Sequence, residues 1–308
     1  MTSFVLVSII HIMKNTKIKE TIEKLHKQVN EFVDEGKYQD YLKFINKFWN
    51  RSAFNQLLIY MFKDKATYVM GYKQWIDKFN RIPVACIECR AIAVKDCNCE
   101  ERRAPIRIPQ LAPMTYTKVD EETQEEEQKM FFKEVYVFDI SDTEPLPDLP
   151  IKEIVSLVEW VDVEIEDENL EKTLIQLINE HGFKFRYDDT GSDTLNGWTD
   201  YTRREIVVSN DRPKAQQIKT LVHEIGHMLA HDIKTIGDIF DPRELKECEA
   251  ESIAFVVLDT LGIDTSSYSV GYVAGWTDNE EDLLVDSIQT VSKNAKFILE
   301  YLRDNKPE

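Results

Sequence analysis

The sequence predicts a mixed α+β protein in two parts. A helical amino-terminal module with a small sheet precedes a carboxy-terminal domain built around a helical metal motif. Three observations predict this. Apolar residues recur at helical spacing along much of the chain, with short β-branched runs between them. Three prolines fall between Pro145 and Pro150 and mark a linker. Charge is also uneven along the chain: residues 13–81 hold 14 basic and 8 acidic groups, whereas residues 151–308 hold 16 and 33. Unequal charge along one chain points to parts with different partners.

The whole chain has 308 residues, 43% of them apolar, and a net charge of −18. That is enough apolar content for one large core or two ordinary ones. A charge of −18 argues against a protein that coats nucleic acid with its whole surface. The expected domains are 13–145 and 151–308, with a cysteine-bearing insertion at 84–104. Residues 1–12 read as an upstream extension, because Met13-Lys14-Asn15 opens a soluble helix naturally. The apolar run from Phe4 to Met13 is too short to span a bilayer and lacks the basic flank of a signal peptide. No membrane partner is expected. Five cysteines, an odd number, do not read as a secreted disulfide framework, so the expected compartment is the cytoplasm.

The elements follow in order. Ile18, Ile22, Leu25 and Val29 predict a helix over 15–35, stopped by Gly36. A second apolar-periodic stretch covers 38–62, and a short helix surrounds Trp75 between Gly71 and Phe79. Residues 82–110 read as irregular, Glu121–Gln128 as a solvated loop and 131–140 as a strand. Beyond the linker come a helix at 168–181, a strand at 183–187 and a strand at 204–209. Asn210 to Pro213 then open a helix that runs to about Asp232. Pro242 begins another, ended by Gly262. Thr277 to Glu280 form a capping box for the last helix, whose apolar face is Leu284, Ile288, Val291, Ala295, Ile298 and Leu302.

The strongest chemical signal is His223-Glu224-Ile225-Gly226-His227. Two histidines four residues apart share one helix face and can reach one ion. A glutamate directly after the first can take a proton from the water such an ion activates. A catalytic zinc needs a third protein ligand and an open position. Glu247, Glu249 and Glu251 on the next helix are the candidates. Leu245, Ala250, Ile253, Ala254 and Val257 mark a buried side that Glu249 borders, while Glu251 lies about 200° away, toward solvent. Glu249 is therefore the preferred ligand. His231, one turn past His227, is read as supporting the ligands or lying on the surface. Tyr268, Tyr272 and Trp276 either stabilise an oxyanion or pack beneath a loop.

Residues 37–81 interleave cations with aromatic groups: Lys43, Lys47, Arg51, Asn55, Tyr72, Lys73, Trp75, Lys78 and Arg81. Such a pattern suits single-stranded nucleic acid, with cations on phosphates and rings on bases. It equally suits a helical domain with an aromatic core and a lysine-rich wet face. Cys86-x2-Cys89 followed by Cys97-x-Cys99 offers four thiolates for a second, structural zinc, or else an inserted loop with free thiols.

The text around His223–His227, with Glu249-Ala250-Glu251-Ser252-Ile253-Ala254, resembles the ImmA/IrrE-type zinc metallopeptidases. That resemblance implies a zincin-like domain, with His223, His227 and Glu249 on a catalytic Zn2+ and Glu224 as general base. It also implies that strand 204–209 is the edge along which a substrate peptide pairs. Asn55-Gln56-Leu57-Leu58-Ile59, Gly71-Tyr72-Lys73-Gln74-Trp75 and Val137-Phe138-Asp139-Ile140 are similar to the amino-terminal domain of the ArdC/LtrC antirestriction-type proteins of mobile elements. In that family this domain binds single-stranded DNA and precedes a metallopeptidase-like domain. The chain departs from the family where the four cysteines replace a short Gly- and Lys-rich turn. The expected protein is thus a single-stranded-DNA-binding zinc metallopeptidase with an antirestriction or DNA-establishment role. Its alternatives are a non-enzymatic DNA-protecting protein with structural zinc and a protease that cleaves one repressor.

Overall fold

The computed structural model describes residues 37–119, 126–150, 152, 168–191, 195–232, 243–263 and 281–305. The expected helix at 15–35, the extension 1–12, the capping box at 277–280 and Tyr268, Tyr272 and Trp276 lie outside them. The described chain is mixed α+β, with seven helices and three small sheets. Its residues divide into two compact units, one made of 54–152 and the other of 37–53 with 168–305. The helix α1 (Lys37–Asn46), on the amino-terminal side of the linker, therefore belongs to the unit of the metal motif.

In the unit that begins at Phe54, helix α2 (Ala53–Phe62) leads to strand β1 (Val69–Gly71) and helix α3 (Tyr72–Phe79). Strand β2 (Arg81–Pro83) pairs with β5 (Thr143–Pro145). Between them run β3 (Ile108–Val119) and β4 (Glu126–Asp139), a long antiparallel ribbon in register from Ile108↔Val137 to Val119↔Glu126. Sheet order is β1-β4-β3. Residues 108–110, read as irregular, begin a strand that runs to Val119, and residues 126–128, read as part of a loop, begin its partner. Pro109 and Pro113 obscure the β3 pattern, but β3 is an edge strand, where a missing donor is tolerated.

Three motif segments hold this unit together. The Trp75 indole is fully buried against Met70 and Phe138 and donates from Nε1 to the Phe138 carbonyl at 2.9 Å. Asp139 Oδ2 accepts from the amides of Thr67 (2.8 Å) and Tyr68 (3.0 Å), and its Oδ1 accepts from Ser141 N at 3.0 Å. Burial alone would raise the Asp139 carboxyl, but these donors hold it below its usual value. Asn55 donates to the Leu111 carbonyl (3.0 Å) and accepts from the Leu111 amide (2.8 Å), extending β3 with a side chain in place of a strand.

The other unit contains α4 (Glu168–Glu180), β6 (Lys184–Asp188), β7 (Gly197–Asp200), β8 (Glu205–Ser209), α5 (Lys214–His231), α6 (Arg243–Thr260) and α7 (Glu281–Asp304). Sheet order is β6-β8-β7, with β6 parallel and β7 antiparallel to β8. Helices α5, α7 and α1 all pack on α6. Tyr38 on α1 hydrogen-bonds Ser252 on α6 at 3.0 Å. The expected apolar face of α7 is buried at Ile288, Val291, Ala295, Ile298 and Leu302. No helix among the described residues is long and apolar enough to cross a membrane.

Candidate metal centre

Helix α5 carries His223, Glu224 and His227, and its apolar positions Ile218, Leu221, Val222 and Ile225 are fully buried. That burial fixes the roll of the helix and turns the two imidazoles into a cleft of about 640 Å³. Their Nε2 atoms lie 3.1 Å apart. Glu247 Oε2, from α6, lies 3.6 Å from His223 Nε2 and 3.4 Å from His227 Nε2. A tetrahedral zinc with nitrogen ligands at about 2.0–2.1 Å and carboxylate oxygen at about 2.0–2.2 Å spaces its donors roughly 3.3–3.5 Å apart. The three atoms therefore form one face of such a tetrahedron and leave the cleft side open. Donor chemistry and spacing both fit a divalent metal.

The carboxylate beside the two imidazoles is Glu247, not the Glu249 that the sequence favours. Glu249 is buried and turned away, with Oε2 2.8 Å from His231 Nε2. His231 Nδ1 in turn lies 3.2 Å from His227 Nδ1. Glu251, expected to face solvent, lines the metal cleft with Glu247. The cause is the surroundings of α6. It is covered on several sides, so a single buried face does not define its orientation. Glu247 and Glu251, one turn apart, line the cleft with His223 and His227, whereas Glu249 meets His231 at the carboxy-terminal end of α5. The close approach of α5 and α6 has a local cause: a Cβ on Gly226 would stand 3.3 Å from the Cα and carbonyl oxygen of Ala250.

Glu224 is buried beside the pair, and Oε2 accepts from Thr199 Oγ1 of β7 at 2.8 Å. Burial pushes its carboxyl above the usual range, against the pull of His223 and His227. Burial alone would lower the His223 imidazole, but Glu247, Glu224 and Glu251 hold it raised. Hydrogen bonding to His223 and His227 holds Glu247 well below the ordinary carboxylate range. Tyr201 donates to the His227 carbonyl at 3.1 Å, and burial keeps its phenol protonated. Thr199 and Tyr201 carry no sequence signal of their own; only the short strand Gly-Trp-Thr-Asp brings Thr199 to Glu224.

Strand β8 is central, with both edges paired, so it offers no edge to a peptide. Among the described residues β7 pairs only with β8, and Gly197, Trp198 and Thr199 line the cleft. The edge next to the metal motif is therefore that of β7. Gly197 is required there, since a Cβ would lie 2.7 Å from both the Val207 carbonyl and Thr220 Cγ2.

The nucleic-acid candidates separate. Lys43, Lys47 and Arg51 belong to the unit with α1, and Asn55, Tyr72, Lys73, Trp75, Lys78 and Arg81 to the other. Lys43, Lys47, Tyr72, Lys73 and Lys78 are exposed. Trp75 is 0% exposed and cannot stack on a base, and the Asn55 amide is buried and committed to Leu111. Arg81 donates to the Thr143 hydroxyl (2.7 Å) and carbonyl (2.9 Å), across the β2–β5 pair.

Residues 176–263 match the model of the peptidase M78 family, the IrrE N-terminal-like domain. Over 170 residues the chain is 29% identical to an uncharacterized Bacillus anthracis protein, pXO2-81; the match takes in 51% of this chain but spans only 28% of that protein. Among solved structures, the chain is similar to the metal-free antirestriction protein ArdC of plasmid R388, at 17% identity and a TM-score of 0.46, covering 82% of this chain and 85% of that one. The Mn(II)-bound form of the same protein gives 14% identity and a TM-score of 0.40, covering 83% and 88%. The matched span holds β6 to β8, the motif helix and all three candidate carboxylates of α6, and over residues 176–263 the chain is similar to the IrrE N-terminal-like domain.

Proposed function

We propose that the chain is a metal-dependent peptidase that hydrolyses a peptide bond in the cleft between β7, α5 and α6. The observation that carries this reading is the triangle of His223, His227 and Glu247 with the buried carboxylate of Glu224 beside it. A bound Zn2+ supplies Lewis acidity to a carbonyl and brings the pKa of a water toward about 7. The residues do the rest. Glu224 receives the proton of the attacking water and later delivers it to the leaving amine, and its raised carboxyl pKa suits a group that must hold a proton between the two steps. Thr199 keeps that carboxylate in one orientation. Tyr201 fixes the backbone at His227. An extended substrate pairs with the edge of β7 that no described strand covers, where main-chain bonds give affinity regardless of sequence. Glu249 and His231 set the His227 ring and do not ligate. Replacing Glu224 with Gln while metal stays bound lowers cleavage by about a hundred- to ten-thousand-fold. Unchanged cleavage, with metal content equal, overturns the mechanism.

The second part of the reading is contact with single-stranded DNA. Its motivation is the exposed group Tyr72, Lys73 and Lys78 on α3, which offers a ring and two cations on one short helix. With the peptidase it makes an antirestriction role in the cytoplasm, on protein bound around entering DNA. A non-enzymatic DNA-shielding protein keeps its protection in Glu224→Gln, whereas a repressor-cleaving protease shows no steep salt-dependent binding of single strands.

A further inference from the structure

We propose that Cys86, Cys89, Cys97 and Cys99 hold a single Zn2+ that acts as the core of the segment joining β2 to β3. One sulfur from each residue lies within 4.8 Å of all the others. Cys86 Sγ and Cys99 Sγ are 3.8 Å apart, and Cys89 Sγ and Cys97 Sγ are 3.6 Å apart. A tetrahedron of thiolates around zinc, with Zn–S of about 2.3 Å, has edges of about 3.8 Å. The four sulfurs thus stand where such an ion needs them. A disulfide needs its sulfurs about 2.05 Å apart, so neither pair is one. A multi-iron cluster spreads its four ligands over separate irons, which these spacings do not allow.

The chain turns tightly after Cys86 and passes through Arg90 in the left-handed region, at φ 60. The turn closes with Ala85 N on the Ala91 carbonyl at 2.7 Å and Ile87 N on the Arg103 carbonyl at 2.8 Å. That second bond ties the arm carrying Cys86 and Cys89 to the arm that follows Cys99.

The segment has little else to hold it. Between Val84 and Arg107 only Val84 and Cys86 are buried. Its regular structure is one 3-10 turn, Val94–Asp96. A loop of this length without a core costs conformational entropy that apolar burial does not offset here. A four-thiolate zinc supplies the missing stabilisation directly. It also fixes Arg90, which follows Cys89 and donates to Glu144 Oε1 (2.5 Å), the Ser141 carbonyl (2.7 Å) and the Thr143 carbonyl (2.7 Å). The ion thereby anchors the segment to β5.

The test uses the full chain, prepared under reducing conditions and loaded with Co2+ in place of Zn2+. Cobalt on four thiolates has an intense sulfur-to-metal charge-transfer band, whereas cobalt on two imidazoles and a carboxylate has none. The full chain takes up two Co2+, and the band accompanies one of them. The variant H223A/H227A takes up one and keeps the whole band. The variant C97S/C99S takes up one and loses the band, and amide exchange over residues 84–107 rises. Should that variant fail to fold, zinc-edge absorption of the unmodified H223A/H227A protein decides the matter, with four sulfurs at about 2.3 Å expected. No band in H223A/H227A, a mixed sulfur and oxygen or nitrogen shell, bound iron, or recovery of Cys86–Cys99 and Cys89–Cys97 as disulfides overturns the proposal.

Discussion

Glu249 Oε2 lies 2.8 Å from His231 Nε2, and both side chains are buried. A neutral His231 that donates from Nε2 to this carboxylate has Nδ1 as an acceptor. His227 Nδ1, 3.2 Å away, then carries its proton toward His231. The lone pair of His227 is left on Nε2, on the side of His223 and Glu247. In the proposed site, a carboxylate that the helix pattern favours as a ligand thus sets the tautomer of one.

This arrangement separates two glutamates by their effect on metal affinity. Glu249→Gln weakens metal binding by about 10- to 100-fold, the usual cost of losing a ligand's supporting partner. Glu247→Gln weakens it further, because a donor atom is removed. Competition with a chelator of known affinity measures both; the reverse order contradicts the assignment.

Gly197→Ala places a Cβ 2.7 Å from a carbonyl oxygen and a methyl group. The strand must shift, at a cost of about 1–3 kcal/mol, and Thr199 moves off Glu224 with it. Gly226→Ala meets Ala250 at 3.3 Å and gains about 1 kcal/mol of helix propensity, so its net effect is smaller. Urea unfolding of the two variants shows the ranking.

Asp139 gives the unit of residues 54–152 an acid-side limit. Its carboxyl is held below the ordinary value in the folded state, so the stability it contributes is present above pH of about 4. That contribution is lost as pH falls through the lower, folded value. Asp139→Asn costs about 1–3 kcal/mol at neutral pH, since the Thr67, Tyr68 and Ser141 amides lose a charged acceptor. The variant's stability also changes less with pH below 4 than that of the parent, as read by denaturant unfolding across pH.

For single-stranded DNA, Lys73→Ala with Lys78→Ala lowers affinity. It also flattens the dependence of log affinity on log salt by about 1.4, at roughly 0.7 for each phosphate no longer neutralised. Trp75→Phe instead lowers the melting temperature and leaves the salt slope unchanged, because the indole is an internal anchor. The full chain is the right material. A fragment 13–150 separates α1 from the unit it packs with.

Much of the architecture is written in local spacing. The His223–His227 turn and the buried faces of α5 and α7 follow from residues three and four apart. The four cysteines announce themselves by type. What local spacing does not carry is the roll of one helix against another. Glu247, not Glu249, lies beside His223 and His227, where α5 meets an α6 that is covered on several sides. Strand β7 is four residues long and holds the Thr199 hydroxyl that Glu224 needs, yet Gly-Trp-Thr-Asp has no period to read. By residue type alone, Trp75 and Asn55 look like ligand-binding groups. Only the tertiary fold shows the indole bonded to Phe138 and the amide to Leu111.

Zinc-edge anomalous diffraction from crystals of the full chain decides which groups hold the metal. The expected peak is bounded by His223 Nε2, His227 Nε2 and a Glu247 carboxylate oxygen, with Glu249 on His231. A peak coordinated by Glu249, or none between the two histidines in zinc-saturated crystals, contradicts the assignment.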